Sequence, residues 1–418
     1  MRTIIITALL ALLGLSAVTG EIKIKPGDRL CIVGDSITEA KKYCKFIEVY
    51  LAACYPELKT EVLQLGWSGE VAPSFLRRMR TDLEPFKPSV VTLFYGMNDG
   101  GYGPYNETTG KRYADAMEAI AAKIVKEYHA SLLVGSPGTV DTFYFKSATG
   151  CPPQVYNETL GKLSDLCKSI AEKNGAGFAD IHFLLASAME KAKQKLGQEY
   201  DVCGKDGVHP DENGHLVIAY GFLKGLGFDG NIGSISIDMN GGAAVSEGQK
   251  VISSAGGSAE IESQKYPYCF TGKSAGSAKN MLPFIPFNED LNRFTLTVKN
   301  LAWEKAKVVW GGQEKVFSKQ ELSKGINLAA EFTENPFVQA FADVEKAVYA
   351  KQDYETNMIK KFTEMLPDEL KAKSRMLKIF PAVEAYREEN FRLQAKLSES
   401  VKARVVPVKH RIVVTKAE

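Results

Sequence analysis

Short apolar runs recur through the first half of the chain, and the stretches between them carry apolar residues at helical spacing. The runs "RLCIVG", "EVLQLG", "SVVTLFYG", "SLLVGS" and "GFAD" predict strands beginning at residues 29, 61, 89, 131 and 177. Amphipathic stretches predict helices over 43–54, 74–83, 113–129, 155–174, 182–196 and 212–226. Strands alternating with helices in this way build βα units around a mostly parallel sheet with helices on both faces. In such a sheet ligands sit beyond the carboxyl ends of the strands, so the residues after each apolar run are the ones to read for chemistry.

The pattern changes after Gly227. Residues 231–317 are rich in Gly and Ser and alternate apolar with polar positions, as at Ile235, Ile237 and Met239 and again at Phe294, Leu296 and Val298, which predicts a small antiparallel β domain. "VVWGGQEKVF" reads as a hairpin turning at Gly311-Gly312. Beyond Pro336 the residues Phe337, Phe341, Val344, Val348, Met358 and Phe362 recur at helical spacing as a core-facing stripe, Pro367 and Pro381 break or kink the helical pattern beyond it, and "HRIVVTKAE" predicts a closing strand. The expected division is a leader at 1–20, an α/β domain at 21–227, a β domain at 228–325 and a helical region at 326–418.

The leader has the form of a signal peptide: Arg2, an apolar run over 4–15, then small residues to Gly20. No later run is long and apolar enough for a membrane span, so the expected location is periplasmic or secreted. A chain of 418 residues, 45% apolar and 24% charged, has an ordinary globular composition and room for two or three compact units. With 52 basic against 50 acidic residues nothing indicates nucleic acid or a membrane surface, and a small or neutral substrate is expected. The seven cysteines leave at least one unpaired in a monomer, with pairing of the others open, and no His, Cys or carboxylate cluster has metal spacing. No metal or cofactor is called for.

The chemistry concentrates at the predicted strand ends. After the first strand comes Gly34-Asp35-Ser36, where Ser36 and Glu39 have the Ser-x-x-Glu spacing of a capping box. The same serine, held on a tight strand-to-helix turn, is equally placed to act as a nucleophile. The second strand is followed by Gly66-Trp67-Ser68-Gly69, the third by Gly96-Met97-Asn98-Asp99, and Asp206-Gly207-Val208-His209 precedes the last helix of the α/β part. Acyl transfer needs a nucleophile, a base, a group that fixes the base's tautomer and donors for an oxyanion. Ser36, His209 and Asp206 fit the first three; the backbone N–H groups of Ser36 and Gly66 and the Asn98 amide fit the last. The rival pair Asp180 and His182 is read as structural, and His129, His215 and His410 as surface or helix-end histidines.

These four blocks resemble those of the SGNH (GDSL) hydrolases over about residues 28–227, in order and in spacing. The resemblance implies a flavodoxin-like three-layer α/β/α domain, here with an added β domain and C-terminal helices. It also implies a serine esterase with Ser36, Asp206 and His209 as triad and Ser36, Gly66 and Asn98 around the oxyanion. Ile37 stands where the family name has leucine, and Leu65 where members often carry asparagine. Aromatics near the blocks, Trp67, Tyr102 and Tyr105, are candidates for stacking on sugar rings, although packing of loops explains aromatics as well. The leading expectation is a carbohydrate O-acetylesterase acting on an acylated small molecule or polysaccharide. A lipase or thioesterase, and a non-catalytic glycan-binding protein on an esterase scaffold, are the alternatives.

Overall fold

In the computed structural model, which describes residues 18–20, 22–270, 272, 274, 276–364 and 380–417, the central sheet has six strands. They are β1 (Val18–Thr19), β2 (Arg29–Gly34), β3 (Glu61–Gly66), β4 (Val90–Phe94), β5 (Ser131–Gly135) and β6 (Gly177–Ala179). Their order is β1-β6-β5-β4-β2-β3; β2 to β6 are parallel, and β1 joins β6 antiparallel at one edge. The inner strands are buried on both faces, which is why they read as continuous apolar runs and not as alternating ones. The remaining residues of the expected leader, 1–17, lie outside the described residues.

Seven helices follow in this part: α1 (Ser36–Glu39), α2 (Lys42–Val49), α3 (Ala72–Asp82), α4 (Glu107–Ala122), α5 (Pro153–Lys173), α6 (Ile181–Leu196) and α7 (Glu212–Gly225). Apolar faces of α2, α6 and α7 cover one side of the sheet, and those of α3, α4 and α5 the other. Helix α4 begins six residues before its first clear apolar position because the Asn106 side chain accepts from Thr109 N at 2.9 Å and caps it. From β2 the chain steps out to β3 and then crosses back to β4, so strand order reverses between β2 and β4. A crevice opens at that reversal, beyond the strands' carboxyl ends.

Two further sheets stand beside the α/β part. One runs β13 (Gln313–Ser318), β12 (Lys305–Trp310), β15 (Val408–Lys416), β10 (Ser258–Ser263), β9 (Gln249–Ala255); the other runs β14 (Ile326–Asn327), β11 (Arg293–Lys299), β7 (Asn231–Asp238), β8 (Ala243–Val245). The β12–β13 hairpin turns at Gly311 and Gly312, with φ of 61° and 81°, as a primed turn requires. The expectation of an all-antiparallel region needs one correction: β7 and β11 pair parallel, because the chain between them first builds β8 to β10 and returns by a long crossover. The final strand β15 lies between β12 and β10, so the end of the chain completes this sheet. One hydrophobic cluster runs unbroken from Leu30 in β2 to Val414 in β15.

Two long helices, α8 (Val338–Glu364) and α9 (Phe380–Ala403), pack on each other and along β3 and α2. The stripe Phe337, Phe341, Val344, Val348 and Met358 is buried as its spacing predicts; the Phe362 side chain and Pro367 lie outside the described residues. Pro381 is the second described residue of α9. These helices close the free edge of the central sheet with polar side chains. Lys351 Nζ donates to Val62 O at 2.7 Å, Gln394 Nε2 to the same carbonyl at 3.2 Å, and Gln64 N to Glu355 Oε2 at 3.2 Å. Lys351 lies between Glu48 and Glu355 at 2.9 and 2.6 Å, fully buried. All seven cysteines are buried and unpaired. Among the described residues no helix is long and apolar enough to cross a membrane.

Candidate active site

β2 ends at Gly34, where any Cβ would lie 2.7 Å from Phe94 O and 2.1 Å from Thr38 Oγ1, so only glycine lets α1 start this close to the sheet. Asp35, not Ser36, is the N-cap: its Oδ1 accepts from Ile37 N at 3.0 Å. Glu39 does not reach back to the helix start either. Its carboxylate accepts from Ser68 N at 2.5 Å and from Lys360 Nζ of α8, so the expected capping box does not form. A capping box does occur at Ser318 and Glu321, which the sequence reading did not single out.

Released from capping, Ser36 Oγ lies 2.8 Å from His209 Nε2, and His209 Nδ1 lies 2.6 Å from Asp206 Oδ2. A carboxylate accepts only, so the imidazole proton sits on Nδ1 and the Nε2 lone pair faces the serine. Asp206 Oδ1 takes the N–H groups of Val208 and His209, each at 2.9 Å, which fixes the loop on which base and carboxylate stand three residues apart. Burial pushes the Asp206 carboxyl up, but these N–H bonds and the imidazole outweigh it and hold it below its usual range. The side chains of His209 and Asp206 are 47% and 56% exposed, so the site opens directly to solvent.

Two residues that the sequence reading passed over support this loop. Asp141 and Lys193 form a buried ion pair at 2.9 Å, and Asp141 N donates to Gly207 O at 2.9 Å. Asp141 also folds its own loop by accepting from Phe143 N and Phe145 N, bringing Phe145 against Gly207.

The opposite wall is built from the ends of β3 and β4. Asn98 Nδ2 donates to Glu70 O at 3.0 Å while its Oδ1 accepts from Tyr102 OH at 2.8 Å. Both bonds pin the amide and leave one Nδ2 hydrogen unused. Asp99 secures the same turn by accepting from Gly96 N and Ala72 N, and burial pushes its carboxyl up to about 6. Burial, opposed by the Ile37 N–H and reinforced by the charges of Asp99 and Glu70, pushes Asp35 up to about 7.

Gly66 departs from its expected place. Its N–H donates to Gln64 Oε1 at 3.0 Å, and a Cβ there would lie 2.1 Å from Glu39 N, so this glycine permits a close approach and its donor is already committed. Three residues on, Gly69 occupies the positive-φ position (73°) of the Trp67–Glu70 turn. The N–H groups of Gly69 and Ser36 have no partner among the described residues. The signal available was the turn itself: in "GWSGE" the third residue of the turn needs positive φ. Glu70, unremarked in the sequence, holds this turn from below. Arg78 donates to both Glu70 oxygens at 2.6 Å and to Leu65 O at 2.8 Å, and Tyr95 OH donates to Glu70 at 2.5 Å.

Of the three aromatics proposed as platforms, Tyr102 has a different task. Its ring stacks on Tyr156 at 5.2 Å and its hydroxyl orients Asn98. Tyr105 lies against Gly110 of α4 with Lys162 over its ring at 4.6 Å. Trp67 is half-buried between the cations of Arg78 and Lys360, at 5.4 and 5.7 Å. Phe143 is 50% exposed beside the His209 loop. Asp180 caps α6 and His182 Nδ1 lies 2.9 Å from Gly138 O, which makes that pair structural. Of the histidines expected at surface or helix-end positions, His215 lies near the start of α7 and His410 in β15; both are buried, His215 accepting from Tyr43 N and His410 lying between Ser263 and Trp310.

The sequence profile of the GDSL-like lipase/acylhydrolase family matches residues 32–217. An acetylxylan esterase from Geobacillus stearothermophilus is 27% identical over 225 residues, covering 50% of this chain and 97% of its own length. Among solved structures, a gut microbial diltiazem-metabolizing enzyme aligns over 96% of this chain and 100% of its own with a TM-score of 0.75 at 23% identity. That likeness in fold therefore extends through the β sheets and the C-terminal helices. A solved acetylxylan esterase from G. stearothermophilus aligns over 50% of this chain and 97% of its own, at 23% identity and a TM-score of 0.41.

Proposed function

We propose, from the premise that residues 32–217 belong to the SGNH (GDSL) acylhydrolase family and that the protein is an ester hydrolase of that kind, that it removes short acyl groups, acetyl first among them, from carbohydrate by way of an acyl-enzyme on Ser36. One observation carries this reading: the unbroken line from Asp206 through His209 to Ser36, at 2.6 and 2.8 Å, at the crevice where strand order reverses. Ser36 Oγ attacks the ester carbonyl and its proton passes to His209 Nε2, while Asp206 stabilises the imidazolium. The oxyanion receives the N–H groups of Ser36 and Gly69 and the unused Asn98 hydrogen. As the tetrahedral adduct collapses, the alcohol leaves with the proton from His209. Water then repeats the sequence on the acyl-enzyme and releases the acid.

Substrate class rests on two supports. The site is open and half-exposed, suited to an acyl group on a large alcohol, and an acetylxylan esterase is 27% identical to half of this chain. Export through the leader at 1–20 belongs to the same reading, and a mature N-terminus near Glu21 in the native host would bear it out. The test is hydrolysis of p-nitrophenyl acetate against the octanoate by wild type and Ser36→Ala, followed by acetate release from acetylated xylo-oligosaccharides. Preference for acetate, lost in the variant, is expected. Faster octanoate cleavage favours the lipase reading, and glycan binding without turnover the non-catalytic one.

A further inference from the structure

The turn that carries Gly69 is not held by the α/β part alone. Glu39, on the helix that begins with Ser36, accepts from Ser68 N at 2.5 Å and is met from the other side by Lys360 Nζ of α8. Lys360 also lies 5.7 Å from the centre of the Trp67 ring, over the first residue of the same turn. A second connection runs one helical turn earlier in α8. Glu355 Oε2 accepts from Gln64 N at 3.2 Å, Thr356 Oγ1 accepts from Gln64 Nε2 at 2.5 Å, and Gln64 Oε1 in turn accepts the Gly66 N–H at 3.0 Å. Each end of the Gly66 to Gly69 segment is thus tied to a helix nearly 300 residues away in sequence.

We propose that helix α8 is a positioning element of the active site, and that Lys360, acting through Glu39, sets the place of the oxyanion turn. This rests on the esterase reading above for its effect on turnover. Ser68 N–H and Gly69 N–H belong to adjacent peptides, so the bond that fixes the first sets the direction of the second. Burial pushes the Glu39 carboxyl up, but Lys360 and the Ser68 N–H more than offset it and hold the carboxyl below its usual range; it meets the turn as a full anion. A donor misplaced by about 1 Å loses much of its transition-state stabilisation while leaving ground-state binding untouched. Lys360 and Glu39 are therefore positioning residues and touch no substrate.

The experiment compares Lys360→Met, Lys360→Arg and Glu39→Gln with Asp353→Asn. The last removes only the contact of Asp353 with Lys41 at 3.3 Å, two helical turns earlier on α8. Expected for Lys360→Met and Glu39→Gln is a fall in kcat of roughly tenfold with KM unchanged, recovery in Lys360→Arg and wild-type kinetics in Asp353→Asn. Amide hydrogen exchange over residues 67–70 should quicken by about the same factor, since local opening sets protection. Unchanged exchange there in Lys360→Met overturns the proposal, whether or not the protein is an esterase. So does a loss shared equally by Asp353→Asn, which would mark mere docking of the helix. If exchange quickens while the wild type cleaves no ester, or while Ser36→Ala keeps full activity, the clamp stands and the esterase reading falls.

Discussion

Two serine–histidine pairs of the same length stand in different parts of this molecule. Ser36 Oγ and His209 Nε2 are 2.8 Å apart in the crevice of the α/β sheet; Ser263 Oγ and His410 Nε2 are 2.8 Å apart inside the β region. The group behind each imidazole separates them. Asp206 accepts from His209 Nδ1, which leaves Nε2 able to take a proton from serine. Behind His410 stands the Trp310 indole, a donor only, at 3.1 Å from Nδ1. Nδ1 of His410 must accept, so Nε2 carries the proton and donates to Ser263, whose own hydroxyl donates to Gln249. Burial pushes His410 down to about 4, so it stays neutral, and with its one proton on Nε2 it has no lone pair to offer its serine. A short Ser–His contact is therefore a fold element or has the geometry of a nucleophile and base according to the third group and the access of solvent.

The strongest way to break this comparison is to remove each hydroxyl. Ser36→Ala should lower ester turnover by about 1000-fold or more, whereas Ser263→Ala should leave kcat within about twofold; equal losses would dissolve the distinction. Next comes Asp206→Asn, which offers His209 an amide donor and so imposes the tautomer that His410 already has. A fall in kcat of about 100-fold or more, with the thermal midpoint little changed, is expected.

Smaller effects sharpen the other side. Trp310→Phe strands a buried imidazole nitrogen and should destabilise the protein by about 1–3 kcal/mol in denaturant melts without altering turnover. The pH dependence comes from the direction of the His410 shift. Its folded value, about 4, lies below the ordinary 6.5, so the unfolded chain binds the extra proton. The stability that comes from keeping this histidine neutral is complete above about pH 6.5 and is lost as pH falls toward 4, by up to about 3 kcal/mol. A His410→Gln variant should show a correspondingly shallower loss of stability across that window in urea titrations at stepped pH. Loss with the wild-type slope would assign the acid sensitivity to other groups.

The sequence carried most of the central sheet because its strands are covered on both faces and must be apolar on both, and runs such as "RLCIVG" and "EVLQLG" coincide with inner strand β2 and edge strand β3 residue for residue. It also carried the approach of Ser36, Asn98, Asp206 and His209, since each comes after a predicted strand or before a predicted helix, and a parallel sheet gathers those ends. The choice between Gly66 and Gly69 was not legible. Both glycines suit a turn, and only the register of Gly34 with Gly66, with α1 packed on top, shows which N–H is consumed. Nor was the fate of Glu39, whose spacing from Ser36 fits a local cap but whose partner in space is Lys360, 321 positions later.

By itself, then, the sequence determined the features that depend on short range: strand and helix periodicity, the Gly311-Gly312 turn, and the identities of the reactive groups at strand ends. Tertiary structure decided which hydrogen bonds those groups make. A backbone N–H or an imidazole nitrogen takes one partner at a time, and a partner brought from a distant helix or strand can displace the local one that spacing suggests. That competition is why Ser36 leaves its cap to Asp35 and faces His209, and why His410, beside a serine at the same distance, is turned into a donor by Trp310.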